Sequence, residues 1–97
     1  MTFWAVQMNK TAFNVAAAGI ISAIAAAGQE GAKGGILYGA LMANGYSLND
    51  FQLITNGLER TGIVAKAGQL YTLTAKGRAL NAQIDAAIAA NRQRAAA

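Results

Sequence analysis

The chain contains no cysteine, no histidine and no proline among its 97 residues. Without cysteine there is no disulfide framework, no thiol nucleophile and no thiolate metal site. Without histidine the commonest general base and the commonest metal ligand are missing. Only four acidic residues are present, Glu30, Asp50, Glu59 and Asp85, and they are scattered. Ordinary hydrolytic, metal-dependent or redox catalysis has almost nothing to work with here. The sequence therefore predicts no enzyme, no metal and no cofactor. The missing proline points to a helix-rich chain whose turns are made by its 11 glycines.

Ninety-seven residues support one domain with a modest core. The formal charge of +4 and pI near 9.9 suit an anionic partner. The apolar run from Ala12 to Gly28 resembles a signal peptide, and with Ile36 to Ala43 it resembles a pair of membrane spans. It is shorter than the roughly 20 apolar residues a span needs, is mostly alanine, and is interrupted by Asn14 and Ser22. The expectation is a cytoplasmic protein with no membrane partner.

Thr2 to Asn9 alternates, with Trp4, Val6 and Met8 on one face, which suggests a strand, although a short helix is also open. Residues 1–10 are read as an apolar N-terminal arm, 11–94 as the folded domain and 95–97 as a disordered tail. Thr11 to Gly28 is the first helix, with Phe13, Ala17, Ile20, Ile24 and Ala27 as its apolar stripe and Gly28 as a left-handed stop. Gly28 to Gly35 is a loop, with room for one short strand. It lacks the spacing and terminal Lys-Ser/Thr of a phosphate-binding loop. Ile36 to Ala43 is a second helix that turns Leu37, Ala40 and Leu41 inward, and Gly39 permits close approach. Asn44-Gly45 marks a turn. Ser47 opens a third helix and forms a capping box with Asp50. Gly62 to Lys66 and Leu70 to Leu73 are short strands joined by Ala67-Gly68, and Thr74 is the N-cap of a long closing helix.

The order helix, loop, helix, turn, helix, strand, strand, helix is a helix-turn-helix followed by a hairpin. Three segments carry a resemblance: Ser47-Leu48-Asn49-Asp50-Phe51, Leu58-Glu59-Arg60-Thr61-Gly62-Ile63-Val64 and Tyr71-Thr72-Leu73-Thr74-Ala75-Lys76-Gly77. In these the chain resembles the winged helix-turn-helix family of transcriptional regulators, over about Thr11 to Ala90. The resemblance implies a mainly α fold with a small β-hairpin wing, and double-stranded DNA as partner. The short wing, the alanine-rich helices and the apolar arm depart from the family's pattern.

On a wheel of about 100° per residue, Leu48, Phe51, Ile54, Thr55 and Leu58 form the core side of the third helix. Asn49, Gln52, Leu53, Asn56 and Arg60 form the outer side, with Gly57. Asn and Gln can pair with adenine, Arg with guanine, and leucine can meet a thymine methyl. These five are the candidate base-reading residues. Lys66, Gln69, Lys76 and Arg78, with Lys33, are the candidate backbone contacts. Lys76 and Arg78 fall in the first turn of the closing helix, where cations oppose the helix dipole, which hints at phosphate. Leu80, Ile84 and Ile88 recur every fourth residue along that helix. With Trp4, Val6 and Met8 they are candidate contacts in a homodimer. The alternative is a winged-helix module that binds a protein rather than DNA.

Overall fold

A computed structural model describes residues 10–96, and the side chains of residues 13–93. The apolar arm with Trp4, Val6 and Met8 lies outside the described residues. The chain is mainly helical: α1 (Lys10–Ala27), α2 (Gly34–Ala43), α3 (Leu48–Arg60) and α4 (Ala75–Ala96). Three short strands, β1 (Ala32–Lys33), β2 (Val64–Ala67) and β3 (Leu70–Leu73), form an antiparallel sheet in the order β1-β3-β2. Among the described residues no helix is long and apolar enough to cross a membrane.

The core is built around α1. Ala16, Ala17, Ile20, Ile21 and Ile24 are buried, and they meet Leu37 and Leu41 of α2, Phe51, Ile54 and Leu58 of α3, and Val64 and Tyr71 of the sheet. The buried face of α1 is wider than a single stripe because α2, α3, α4 and β3 all pack on it. Ala27, expected on the stripe, is exposed, since α1 ends there in a 3-10 turn, Gly28–Glu30. Gly28, with φ +75°, makes the break. Phe51 joins three elements: its ring lies 5.7 Å from that of Tyr38 on α2 and 6.4 Å, edge-on, from that of Tyr71 on β3, favourable aromatic geometry.

Several expectations are corrected. Helix α2 begins at Gly34, and Ala40 faces solvent while Leu37 and Leu41 face the core. A Cβ at Gly39 would meet nothing, so that glycine serves no close approach. Strand β2 starts at Val64, because Gly62 belongs to the end of α3. Gly62 has φ +79°, and Gly62 N–H donates to Glu59 O while Ile63 N–H donates to Leu58 O. This is the six-residue helix stop that a left-handed glycine allows. Asn44-Gly45-Tyr46 ends α2 in the same way, through bonds to Leu41 O and Met42 O. The hairpin turn is Gly68-Gln69, one residue later than expected, with Ala67 opposite Leu70. Gly68, at φ +63°, takes the first place of a two-residue loop, where a primed turn requires glycine. Helix α4 continues through Ala95 and Ala96, since alanine is the best helix former.

Candidate nucleic-acid interface

Helix α3 is fixed at both ends. Asp50 N–H donates to Ser47 Oγ at 3.1 Å and Ser47 N–H donates to the Asp50 carboxylate at 3.0 Å, so the expected capping box is complete. Phe51, Ile54, Thr55 and Leu58 are buried. Thr55 is satisfied within the helix, its hydroxyl donating to Phe51 O at 3.0 Å. Leu48, expected in the core, is exposed, because it is the first residue of the helix and lies beyond the reach of α1. Gly57 does not belong to the outer face. It is half-buried, and a Cβ there would stand 3.4 Å from the Phe13 ring of α1, so it faces that helix.

The remaining outer face is continuous and open. Asn49, Gln52, Leu53, Asn56 and Arg60 are all exposed, Leu53 at 51%. None of the five is needed by the core. Among the described residues, Arg60 makes no hydrogen bond or ion pair that would hold its guanidinium elsewhere.

Three of the other candidate cations, Lys66, Lys76 and Arg78, have intramolecular partners, which the sequence did not disclose. Lys66 Nζ lies 5.6 Å from the centroid of the Tyr71 ring, its cross-strand neighbour. Lys76 Nζ donates to Thr61 O at 2.9 Å. Thr61 caps the C-terminus of α3, so the cation that opposes the dipole of its own helix sits at the negative end of another. Arg78 Nη1 donates to Leu73 O at 3.1 Å. Two residues apart on a helix are on roughly opposite sides. Lys76 therefore lies beside the end of α3, and Arg78 lies against a cleft near the end of α1. The hint of phosphate drawn from both cations together loses its premise, although each stays exposed.

The hairpin is held rather than free. Strand β1 pairs along β3, Ala32 opposite Tyr71 and Lys33 opposite Leu70. Gly34 N–H donates to Gln69 O at 2.9 Å, which ties the turn to the start of α2. Gln69 and Lys33 are exposed.

The junction from β3 to α4 sets the angle between the hairpin and α3. The Thr74 hydroxyl donates to Gly62 O and accepts from Gly77 N–H at 3.1 Å. Gly77 is buried, and a Cβ there would stand 2.1 Å from Ile63 O. Only glycine allows that approach. The Thr74 cap was legible in the sequence; the role of Gly77 was not.

Leu80 and Ile84 are half-buried against the core, and Ile88 is exposed at 47%. Every side chain from Asp85 to Gln93 is exposed. A groove between α1 and α4, lined by Val15, Ala18, Ile84 and Ile88, runs beside this stretch.

No known protein family, curated protein or solved structure matches this chain.

Proposed function

We propose that the chain is a winged-helix DNA-binding protein, a small dimeric transcriptional regulator that reads the major groove with α3. The observation that carries this reading is the outer face of α3: an adenine-pairing and guanine-pairing set, fully exposed on a helix whose ends and inner face are locked. The element order and the hairpin beside α3 support it, since the helix-turn-helix arrangement presents its second helix to DNA. Arg60 supplies the guanine contact. Lys66, Gln69, Lys76 and Arg78 stand as backbone contacts, with Lys76 the best placed beside Arg60. The exposed half of α4, with Val15 and Ile88, is the surface a second copy would cover.

The test is an electrophoretic shift with the pool of duplexes selected from random sequence. A retarded band that weakens with salt is expected, its log–log slope near −3 for each bound copy if about three phosphates are neutralised by each. Arg60→Ala should relax the selected sequence more than it weakens binding to random DNA. No shift at any ionic strength would sink the reading.

One observation favours the alternative, a module that binds a protein. Ile36 and Met42 on α2, and Leu48 and Leu53 on α3, are all exposed, and only Arg60 among the five outer residues is charged. A stable partner that co-purifies, together with no salt-dependent DNA binding, would establish it.

A further inference from the structure

A cleft of about 570 Å³ opens where the end of α1, the Gly28–Glu30 turn, β3 and the first turns of α4 meet. It falls within the roughly 300–1,000 Å³ typical of small-molecule sites. Ile24 and Leu73 give it an apolar wall, and Gln29, Thr72, Arg78 and Asn81 bring polar groups to it. Two of these groups are incompletely used. Asn81 Oδ1 is shut off from solvent and has no hydrogen-bond partner. A buried acceptor in that state is costly, and a donor that reached it would recover the loss. Arg78 spends one N–H on Leu73 O, and a guanidinium has five in a fork that suits a carboxylate.

We propose that this cleft binds a short aliphatic α-hydroxy acid. The carboxylate pairs with Arg78, the adjacent hydroxyl donates to Asn81 Oδ1, and the alkyl chain lies on Ile24 and Leu73. The hydroxyl is preferred to an ammonium because the described residues lining the cleft include no carboxylate. An ammonium would sit unpaired beside a guanidinium. Asn81 Oδ1 is sealed from solvent, so a neighbouring side chain moves aside before the hydroxyl reaches it. The site is separate from the outer face of α3 but shares Arg78 with the proposed backbone contacts, so binding is measured without DNA. Arg78 and Leu73 adjoin the junction that carries the hairpin, so a ligand on the unused N–H groups of Arg78 sits next to it.

The experiment uses the full chain without DNA. Amide NMR spectra are recorded during titration with 2-hydroxy-4-methylpentanoate, and in parallel with leucine, 4-methylpentanoate and the carboxylate-free alcohol 3-methylbutan-1-ol. Saturable shifts at Gly28, Thr72, Arg78 and Asn81 are expected with the hydroxy acid. Binding of 4-methylpentanoate should be about tenfold weaker, the worth of one buried hydrogen bond, and the alcohol, which loses the charge-assisted pair with Arg78, at least about tenfold weaker. Leucine should also bind more weakly. Arg78→Gln should abolish the preference for a carboxylate. Asn81→Leu, which removes the unpaired acceptor and should fold at least as well, should equalise the hydroxy acid and 4-methylpentanoate. No saturable shift at low-millimolar hydroxy acid, shifts centred elsewhere, equal binding of the hydroxy acid and 4-methylpentanoate by the unsubstituted chain, or tighter binding of leucine would each overturn the proposal.

Discussion

At the scale of single residues, glycines and cations behave in opposite ways. Gly77 and Gly57 look like weak points in helices, yet each marks a place where another group comes close: Ile63 O in one case, the Phe13 ring in the other. The two differ in how much they can yield. Phe13 is a half-buried side chain at ordinary contact distance, whereas Ile63 O is backbone already held by Thr74. Gly77→Ala should therefore destabilise the fold by about 3 kcal/mol or more. Gly57→Ala should cost far less. Urea unfolding of both variants checks the contrast, and equal midpoints would show that the junction can shift. Lys66, Lys76 and Arg78 look like free charges in the sequence but rest on an aromatic ring or on backbone carbonyls. Arg60 has no such rest among the described residues, which is why the proposed reading gives it the guanine contact.

At the scale of elements, both ends of α3 and the end of α2 are made by local devices, whereas β1 is made by a distant one. Ser47 and Asp50 open α3, and Gly45 and Gly62 close α2 and α3. The hairpin depends on Gly68 and on its ties to β1 and α2. Gly68→Val puts a β-branched residue at positive φ and should cost about 1–2 kcal/mol. If the wing touches DNA, affinity should fall with it while the selected sequence stays the same. Differential scanning calorimetry and the duplex selection together check this. The contrast explains what was legible in advance. The capping box, the core side of α3 and the Thr74 cap follow from spacings of three and four residues, which sequence displays directly. The sequence left room for one short strand between Gly28 and Gly35 but did not place it, because Ala32-Lys33 is too short to show a period and is defined by pairing with Tyr71 and Leu70. Gly62 was misplaced because glycine marks a boundary between elements without showing to which side it belongs. The cleft beside Arg78 is formed by residues from Ile24 to Asn81, and no local pattern announces it.

At the scale of the whole molecule, α4 outruns the domain it closes. Its first part packs through Leu80 and Ile84, and the side chains from Asp85 to Gln93 are exposed. Val15 at 63% and Ile88 at 47% face the adjoining groove. If a second copy covers this surface, sedimentation equilibrium should report a dimer that Ile88→Asp converts to a monomer with unchanged helical circular dichroism. A monomer at all concentrations without the substitution would end the dimer reading. The junction around Gly77 has a kinetic consequence as well. Thr74 reaches back 12 residues to Gly62, and Lys76 reaches back 15 to Thr61, so the hairpin and its two flanking helix ends close on themselves over a short stretch of chain. Short closures are made early, since little loop entropy is lost before contacts repay it. The segment from α3 to the start of α4 should form in the folding transition state, and α1 should dock afterwards. Val64→Ala should then slow folding, while Ile20→Val should speed unfolding and leave the folding arm of the chevron unmoved.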